Sequence, residues 1–286
     1  MKHRMHENGW TVLLEDVDFR TITQEDVDEI ARLIARYTVV VAKGQNLSVQ
    51  DEVRVINMFK DPEVPNETKN GRPNGGDGMG LIVADSEGKI ARVTGEKDEL
   101  GRPGLFGHVS DLDWHCNSAA NPWRKPIVWL YSIKGSKGSK TSWINHALAY
   151  DDLSAEEKDS FKDIRMINGY KKGSYSEHHF GKDIDINFEY KPNLVHTNIA
   201  GVTGLFFPFL QIHQIDGMSE QASMEFISRL RKHVEQEKYM YHHEWDDGDL
   251  VISEQWLGVH KRWRFEAIET RVLHRATMDF PDQQYN

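Results

Sequence analysis

Two short segments concentrate the residue types that bind metal ions and anions. One is Asp113-Trp114-His115-Cys116-Asn117, and the other runs from Gly248 to Arg275 as GDLVISEQWLGVHKRWRFEAIETRVLHR. In the second, His260 follows Asp249 by 11 residues and precedes Arg275 by 15. Fourteen histidines in one chain are a first sign of metal, because neutral imidazole is the commonest protein ligand for a metal ion. Side chains alternate along a strand, so Arg271, Leu273 and Arg275 share one face of the last predicted strand. Two guanidiniums on one face are costly unless they meet an anion, and their planar forks match a carboxylate.

Composition narrows the classes of function. At 286 residues the chain is long for one domain and short for two. A chain near this length hides about 75% of its unfolded surface, so it can bury a large core without covalent staples. With 35 basic against 45 acidic residues, a net charge of −10 and no long basic block, the sequence argues against a nucleic-acid binder that relies on counterion release. The lone cysteine, Cys116, excludes an internal disulfide and a cysteine-based zinc cluster. The first ten residues, MKHRMHENGW, carry charge and no apolar run, so no signal peptide is expected. The most apolar stretch, 199–212, is too short for a membrane span and contains Pro208. A cytoplasmic protein without membrane or nucleic-acid partners is expected.

The elements that must position these residues are legible in part. Thr23 opens a helix through Arg36, with acidic residues at its positive end and Val27, Ile30, Ala31 and Ile34 on one face. The run 38–42 then reads as a buried strand, and Ser48 with Asp51 caps a second helix. Ser154 with Glu157 opens another, expected to reach Ile167, and Ser219 to Lys238 reads as a fourth. Strands are expected at 127–133, 204–209, 249–253 and 271–280. Residues 61–107 are rich in Gly, Pro, Asn and Asp, which is long for a plain loop and suggests a lid or insertion. The sum is a β-dominated α+β fold in one domain, a strand sandwich or jelly roll with flanking helices.

The chain resembles the TauD/TfdA (taurine dioxygenase-like) family of Fe(II)/2-oxoglutarate-dependent dioxygenases over nearly its whole length. The resemblance is carried by the N-terminal helix with TVVVAKGQNLS and by Trp114-His115. It continues through the turn from Gly138 to Trp143, Ala149-Tyr150, Leu153-Ser154 and Gly217-Met218-Ser219, and closes with 245–249, His260 and 271–275. It implies a double-stranded β-helix, a jelly-roll or cupin-like barrel. It also implies a facial triad of two histidines and one carboxylate holding Fe(II), with open positions for 2-oxoglutarate and O2. By position the histidines are His115 and His260. Arg275 matches the arginine that pairs with the distal carboxylate of 2-oxoglutarate, Thr141 the threonine that supports it, and Arg271 the second arginine of the closing strand. The expected reaction is hydroxylation of a small, often anionic molecule with release of succinate and CO2. Family resemblance suggests a homodimer or homotetramer.

One position departs from the pattern. Where the family has His-x-Asp or His-x-Glu, this chain has His115-Cys116-Asn117. A neutral amide leaves three options open: Asn117 ligates weakly, it yields the position to water or an anion as in related halogenases, or the chain is a non-catalytic binding protein. Asp111 and Asp113 are weaker substitutes because they precede the histidine. Cys116 points to the opposite strand face and reads as core. The pairs His178-His179 and His242-His243 read as solvated, with His179 or His108 as candidates for the mouth of the site. Trp114, Trp143 and Trp245 read as packing, and the run from Phe206 to Phe209 as core with one ring facing the cofactor. Asn74, Arg92 and His108 are candidates for substrate contact in or beside the lid.

Overall fold

The computed structural model describes residues 1–62, 82–96, 111–119, 122, 124–169, 190–266 and 271–285 in full, and the backbone of 68–69, 72–73 and 105–106. Asn74, His108, His178 and His179 lie outside the described residues.

The first helix, Gln24–Tyr37, begins at the expected cap: the Thr23 hydroxyl accepts from the Asp26 amide while the Asp26 carboxylate accepts from the Thr23 amide. Its buried face carries Val27, Ile30, Ala31 and Ile34. Thr38, at φ 70°, ends the helix and turns the chain into the strand Val39–Ala42. The Ser48–Asp51 box starts the helix Val49–Ile56 in the same way. The Ser154–Glu157 box also forms, but its helix stops at Phe161 rather than Ile167. Met166–Asn168 leaves as a strand that pairs with Ile212–Ile215, so tertiary pairing overrides the local helical signal. The fourth helix is Glu220–Val234, and Glu237–Tyr239 beyond it is a 3-10 turn. The expected strand 204–209 is cut to Thr203–Leu205, and Pro208, which lacks an amide hydrogen, precedes the 3-10 turn Phe209–Gln211.

Two principal sheets carry the fold. The larger has eight strands in the order Lys2–Met5, Thr11–Glu15, Val39–Ala42, Leu250–Glu254, Ile127–Lys134, Val272–Met278, Ala91–Thr94 and Leu105–Phe106. The smaller has four, in the order Met240–Glu244, Lys140–Asn145, Gly258–Arg262 and Leu112–His115. The two N-terminal strands had no clear sequence signal.

Alternation divides the larger sheet into two faces. Val40, Ala42, Trp129, Tyr131, Leu250 and Ile252 join the helices Gln24–Tyr37 and Val49–Ile56 in one core cluster. Val39, Val41, Val128, Leu130, Val251 and Leu273 face the other way and pack with Trp143, Tyr241 and Trp245 of or beside the smaller sheet. The candidate site residues lie at this junction between sheets.

The described part of 61–107 includes a strand. Its residues Ala91–Thr94 form a sheet strand against Val272–Arg275. Among the described residues no helix is long and apolar enough to cross a membrane.

Candidate active site

A pocket between the sheets is lined by Val93, Leu130, Arg271, Leu273 and Arg275 from the larger sheet and its approach. Leu112, His115, Asn117, Thr141, His260 and Arg262 line it from the smaller sheet. All six residues singled out from the sequence thus meet at one place. Register explains why: His260 pairs with His115 on the neighbouring strand, Thr141 pairs with Arg262, and Arg275 sits opposite Leu130. Distant sequence positions become cross-strand neighbours.

The two imidazoles are adjacent, with ring centroids 4.2 Å apart and planes tilted by 51°. His115 Nδ1 donates to the Asp113 carbonyl at 2.7 Å, which fixes the tautomer and leaves Nε2 as the acceptor nitrogen. His260 stacks against Trp143 at 6.4 Å. Burial lowers the His115 pKa to about 4 and holds His260 well below its ordinary value, so both rings are neutral near pH 7. Neutral imidazole is the form that ligates metal, and two rings this close can both reach an ion ~2 Å from each nitrogen. Among the described residues no cluster of three His, Cys, Asp or Glu forms, which agrees with an amide standing at 117.

Asn117 lies just past the strand, buried, with its Nδ2 in no hydrogen bond. The backbone around it is held by buried amides: Gln255 Oε1 accepts the Asn117 N–H at 2.7 Å, Gln211 Nε2 donates to the Cys116 carbonyl at 2.9 Å, and Asn168 Nδ2 donates to the Ala119 carbonyl at 3.2 Å. The loop is fixed from three elements that sequence spacing could not connect. Cys116 is fully buried among Trp114, Ala119 and Phe206, as expected, and burial pushes its thiol up to about 12.

Arg262, Arg271 and Arg275 bring three arginines to the pocket, and no carboxylate is among its described lining residues. Burial and the nearby Arg262 charge push the Arg271 guanidinium down to about 9, as expected when positive groups crowd where water is scarce. Thr141 contributes a hydroxyl, which accepts from Trp245 Nε1 at 2.9 Å. Arg262 was missed in the sequence, although strand alternation from His260 places it on the same face.

Several expectations need correction. Asp113 does not substitute for the missing carboxylate: it accepts a two-pronged ion pair from Arg231 at 2.9 and 3.0 Å. Asp111 accepts from the Arg264 amide. His243 is not solvated; it is buried, with Nε2 3.0 Å from Asp249 and Nδ1 3.0 Å from the Tyr241 hydroxyl. His242 is partly buried against Ser142 and Glu237. Arg92 pairs with Glu96. Phe206, Phe207 and Phe209 belong to the core, and none lines the pocket.

With this geometry in view, comparison with known proteins becomes specific. The sequence matches the family described as taurine catabolism dioxygenase TauD, TfdA family over residues 8–277. It is 24% identical over 278 residues to the alpha-ketoglutarate-dependent 2,4-dichlorophenoxyacetate dioxygenase of Cupriavidus pinatubonensis, covering 92% of each chain. It is 26% identical over 200 residues to the pentalenolactone F synthase of Streptomyces arenae, covering 64% of this chain and 67% of the relative. Among solved structures, AAD-2 in complex with Mn(II) and N-oxalylglycine superposes with a TM-score of 0.77 at 18% identity, covering 99% of this chain and 98% of the other. A taurine dioxygenase from Burkholderia xenovorans gives 0.73 at 17%, covering 95% and 86%. The sheet-rich fold is therefore that of TauD-like dioxygenases.

The chain belongs to the TauD/TfdA family. It is an oxidoreductase, a dioxygenase that uses Fe(II), 2-oxoglutarate and O2. The non-catalytic and halogenating alternatives are not favoured by these relatives.

Proposed function

We propose that the protein hydroxylates a small anionic molecule, in a single domain whose sheets close into a double-stranded β-helix with part of 61–107 as its lid. We place its action in the cytoplasm. The observation that carries the reading is one pocket whose described lining brings two adjacent neutral imidazoles together with three arginines. His115 and His260 would hold Fe(II), with Asn117 as the third neighbouring group. Arg275 and Arg271, with the Thr141 hydroxyl, would hold the distal carboxylate of 2-oxoglutarate.

Bound Fe(II), with 2-oxoglutarate and O2, supplies the oxidation of a substrate C–H bond while 2-oxoglutarate becomes succinate and CO2. The protein's part is orientation and exclusion of water. The Asp113 carbonyl keeps His115 in one tautomer. The arginine forks fix one end of the dicarboxylate, which sets the other end towards the histidines. Val93, Leu112, Leu130 and Leu273 supply apolar walls.

The test is anaerobic addition of 2-oxoglutarate to the Fe(II)-loaded protein, followed by O2 with a panel of small carboxylates and sulfonates. A charge-transfer absorption band and substrate-dependent succinate release are expected. No band and no succinate with any anion would overturn the reading, and turnover of neutral molecules alone would remove its anionic part.

A further inference from the structure

We propose that Trp245 is a positioning residue for 2-oxoglutarate, acting through Thr141. The inference rests on the reading that Thr141 faces the distal carboxylate.

A hydroxyl has one proton and two lone pairs. The Trp245 indole N–H takes a lone pair of Thr141 Oγ1 at 2.9 Å, in a buried contact. An indole nitrogen can only donate, so the Thr141 proton cannot turn towards it. Among the described residues no acceptor takes that proton, and Thr141 lines the pocket. The hydroxyl is thus committed as a donor to whatever anion enters. A threonine without this neighbour would divide its time between donating and accepting orientations, and a carboxylate rewards only the first.

Trp245 is itself held in place. Its amide donates to the Ser139 carbonyl at 3.1 Å. Its ring meets the His243 ring edge-on, with centroids 4.6 Å apart at 81°. His243 is anchored by Asp249 at 3.0 Å, and the same carboxylate accepts the Asp246 amide at 3.2 Å, which closes the turn after Trp245. The Arg271 guanidinium lies 6.0 Å from the indole ring. One side chain therefore touches both the hydroxyl and an arginine of the proposed carboxylate site.

The experiment is a double-mutant cycle read by binding rather than turnover. Calorimetric titration of 2-oxoglutarate into the Fe(II)-loaded protein without O2 is carried out for Trp245→Phe, Thr141→Val and the double substitution, with Fe(II) affinity measured separately. Phenylalanine keeps an aromatic ring at this position and removes the N–H donor, together with one ring of the indole. Trp245→Phe should weaken 2-oxoglutarate roughly 3- to 10-fold, the range for one lost hydrogen bond, with Fe(II) affinity unchanged. The double substitution should bind no more weakly than Thr141→Val alone, and in Thr141→Ser, which keeps the hydroxyl, the effect of Trp245→Phe should return. Losses that multiply in the double substitution, or no loss in Trp245→Phe beside a clear one in Thr141→Val, overturn the inference. If Thr141→Val alone leaves the affinity intact, the reading of Thr141 fails first. Should Trp245→Phe not fold, the indole N–H resonance of the Zn(II)-loaded protein reports the same contact. It should respond to 2-oxoglutarate in the unsubstituted chain and in Thr141→Ser but not in Thr141→Val, and silence throughout overturns the inference.

Discussion

Glu254 closes the strand Leu250–Glu254 with 1% of its surface exposed. Burial pushes its pKa from 4.5 up to about 8, and the Leu257 amide, the Asn198 side chain and the Arg124 charge offset this only in part. A folded state that holds this proton more tightly than the unfolded state loses stability as pH rises. Below the unfolded value both states are protonated and the group costs nothing. Between 4.5 and about 8 only the unfolded chain releases the proton, so stability falls by up to ~1.4 kcal/mol per pH unit. The ceiling over that window is on the order of 5 kcal/mol, and relaxation of the surroundings should bring it to a few. Glu254→Gln removes the titration while keeping the shape. Urea unfolding followed by circular dichroism, at constant ionic strength from pH 5 to 8.5, should show the variant gaining on the parent steadily and levelling off above pH 8. A difference that does not change with pH, or one that shrinks as pH rises, would refute the reasoning. The consequence reaches the site, because the next residue, Gln255, holds the Asn117 amide.

Arg275→Gln removes one guanidinium fork from the proposed carboxylate site and should weaken 2-oxoglutarate about 10- to 100-fold, as expected for a charged hydrogen bond, with Fe(II) affinity little changed in anaerobic titration. Asn117→Asp should tighten Fe(II) at least about tenfold, by adding the carboxylate that divalent ions favour, and an unchanged affinity would show that position 117 stands away from the ion. Glu52 is fully buried, paired with His274, and accepts from Trp129 Nε1 at 3.1 Å. Glu52→Ala should cost ~3–5 kcal/mol, seen as a lower thermal midpoint. Gly204→Ala would place a Cβ 2.8 Å from the Ala147 Cα, and overpacking against backbone should destabilise by ~1–3 kcal/mol, read by the same melt.

Local chemistry was legible where it was strong. The capping pairs Ser48–Asp51 and Ser154–Glu157 form as read, and Thr23 caps its helix as read while also pairing with Asp26, because each satisfies its own amides within a few residues. The helix expected to reach Ile167 failed because the partner of Met166–Asn168 lies far along the chain at Ile212–Ile215. The pocket residues were legible through order and spacing, since strand alternation and family pattern both constrain them. His243 was misread because a polar sequence context says nothing about a carboxylate six residues away that folds back to meet it. The amides of Gln211, Gln255 and Asn168 carry no local signature. Their role exists only once distant strands bring them against the loop 116–119.

The substitution at 117 shifts the electrostatics of the pocket in a definite direction. An ion held by His115 and His260 beside the neutral Asn117 amide would keep one more positive charge than it would beside an aspartate. At an effective dielectric near 20, a carboxylate ~6 Å from a second anion costs about 3 kcal/mol, so replacing it by an amide relieves any anion bound nearby by a similar amount. Weaker hold on Fe(II) and stronger hold on anions are thus two faces of one change. Opposite signs for Fe(II) and anion binding are predicted when the carboxylate is restored. The chain as a whole carries a net charge of −10, whose field screening confines to within about 8 Å of the surface at physiological salt. The surface charge would therefore repel an incoming anion only weakly until it reached the guanidiniums.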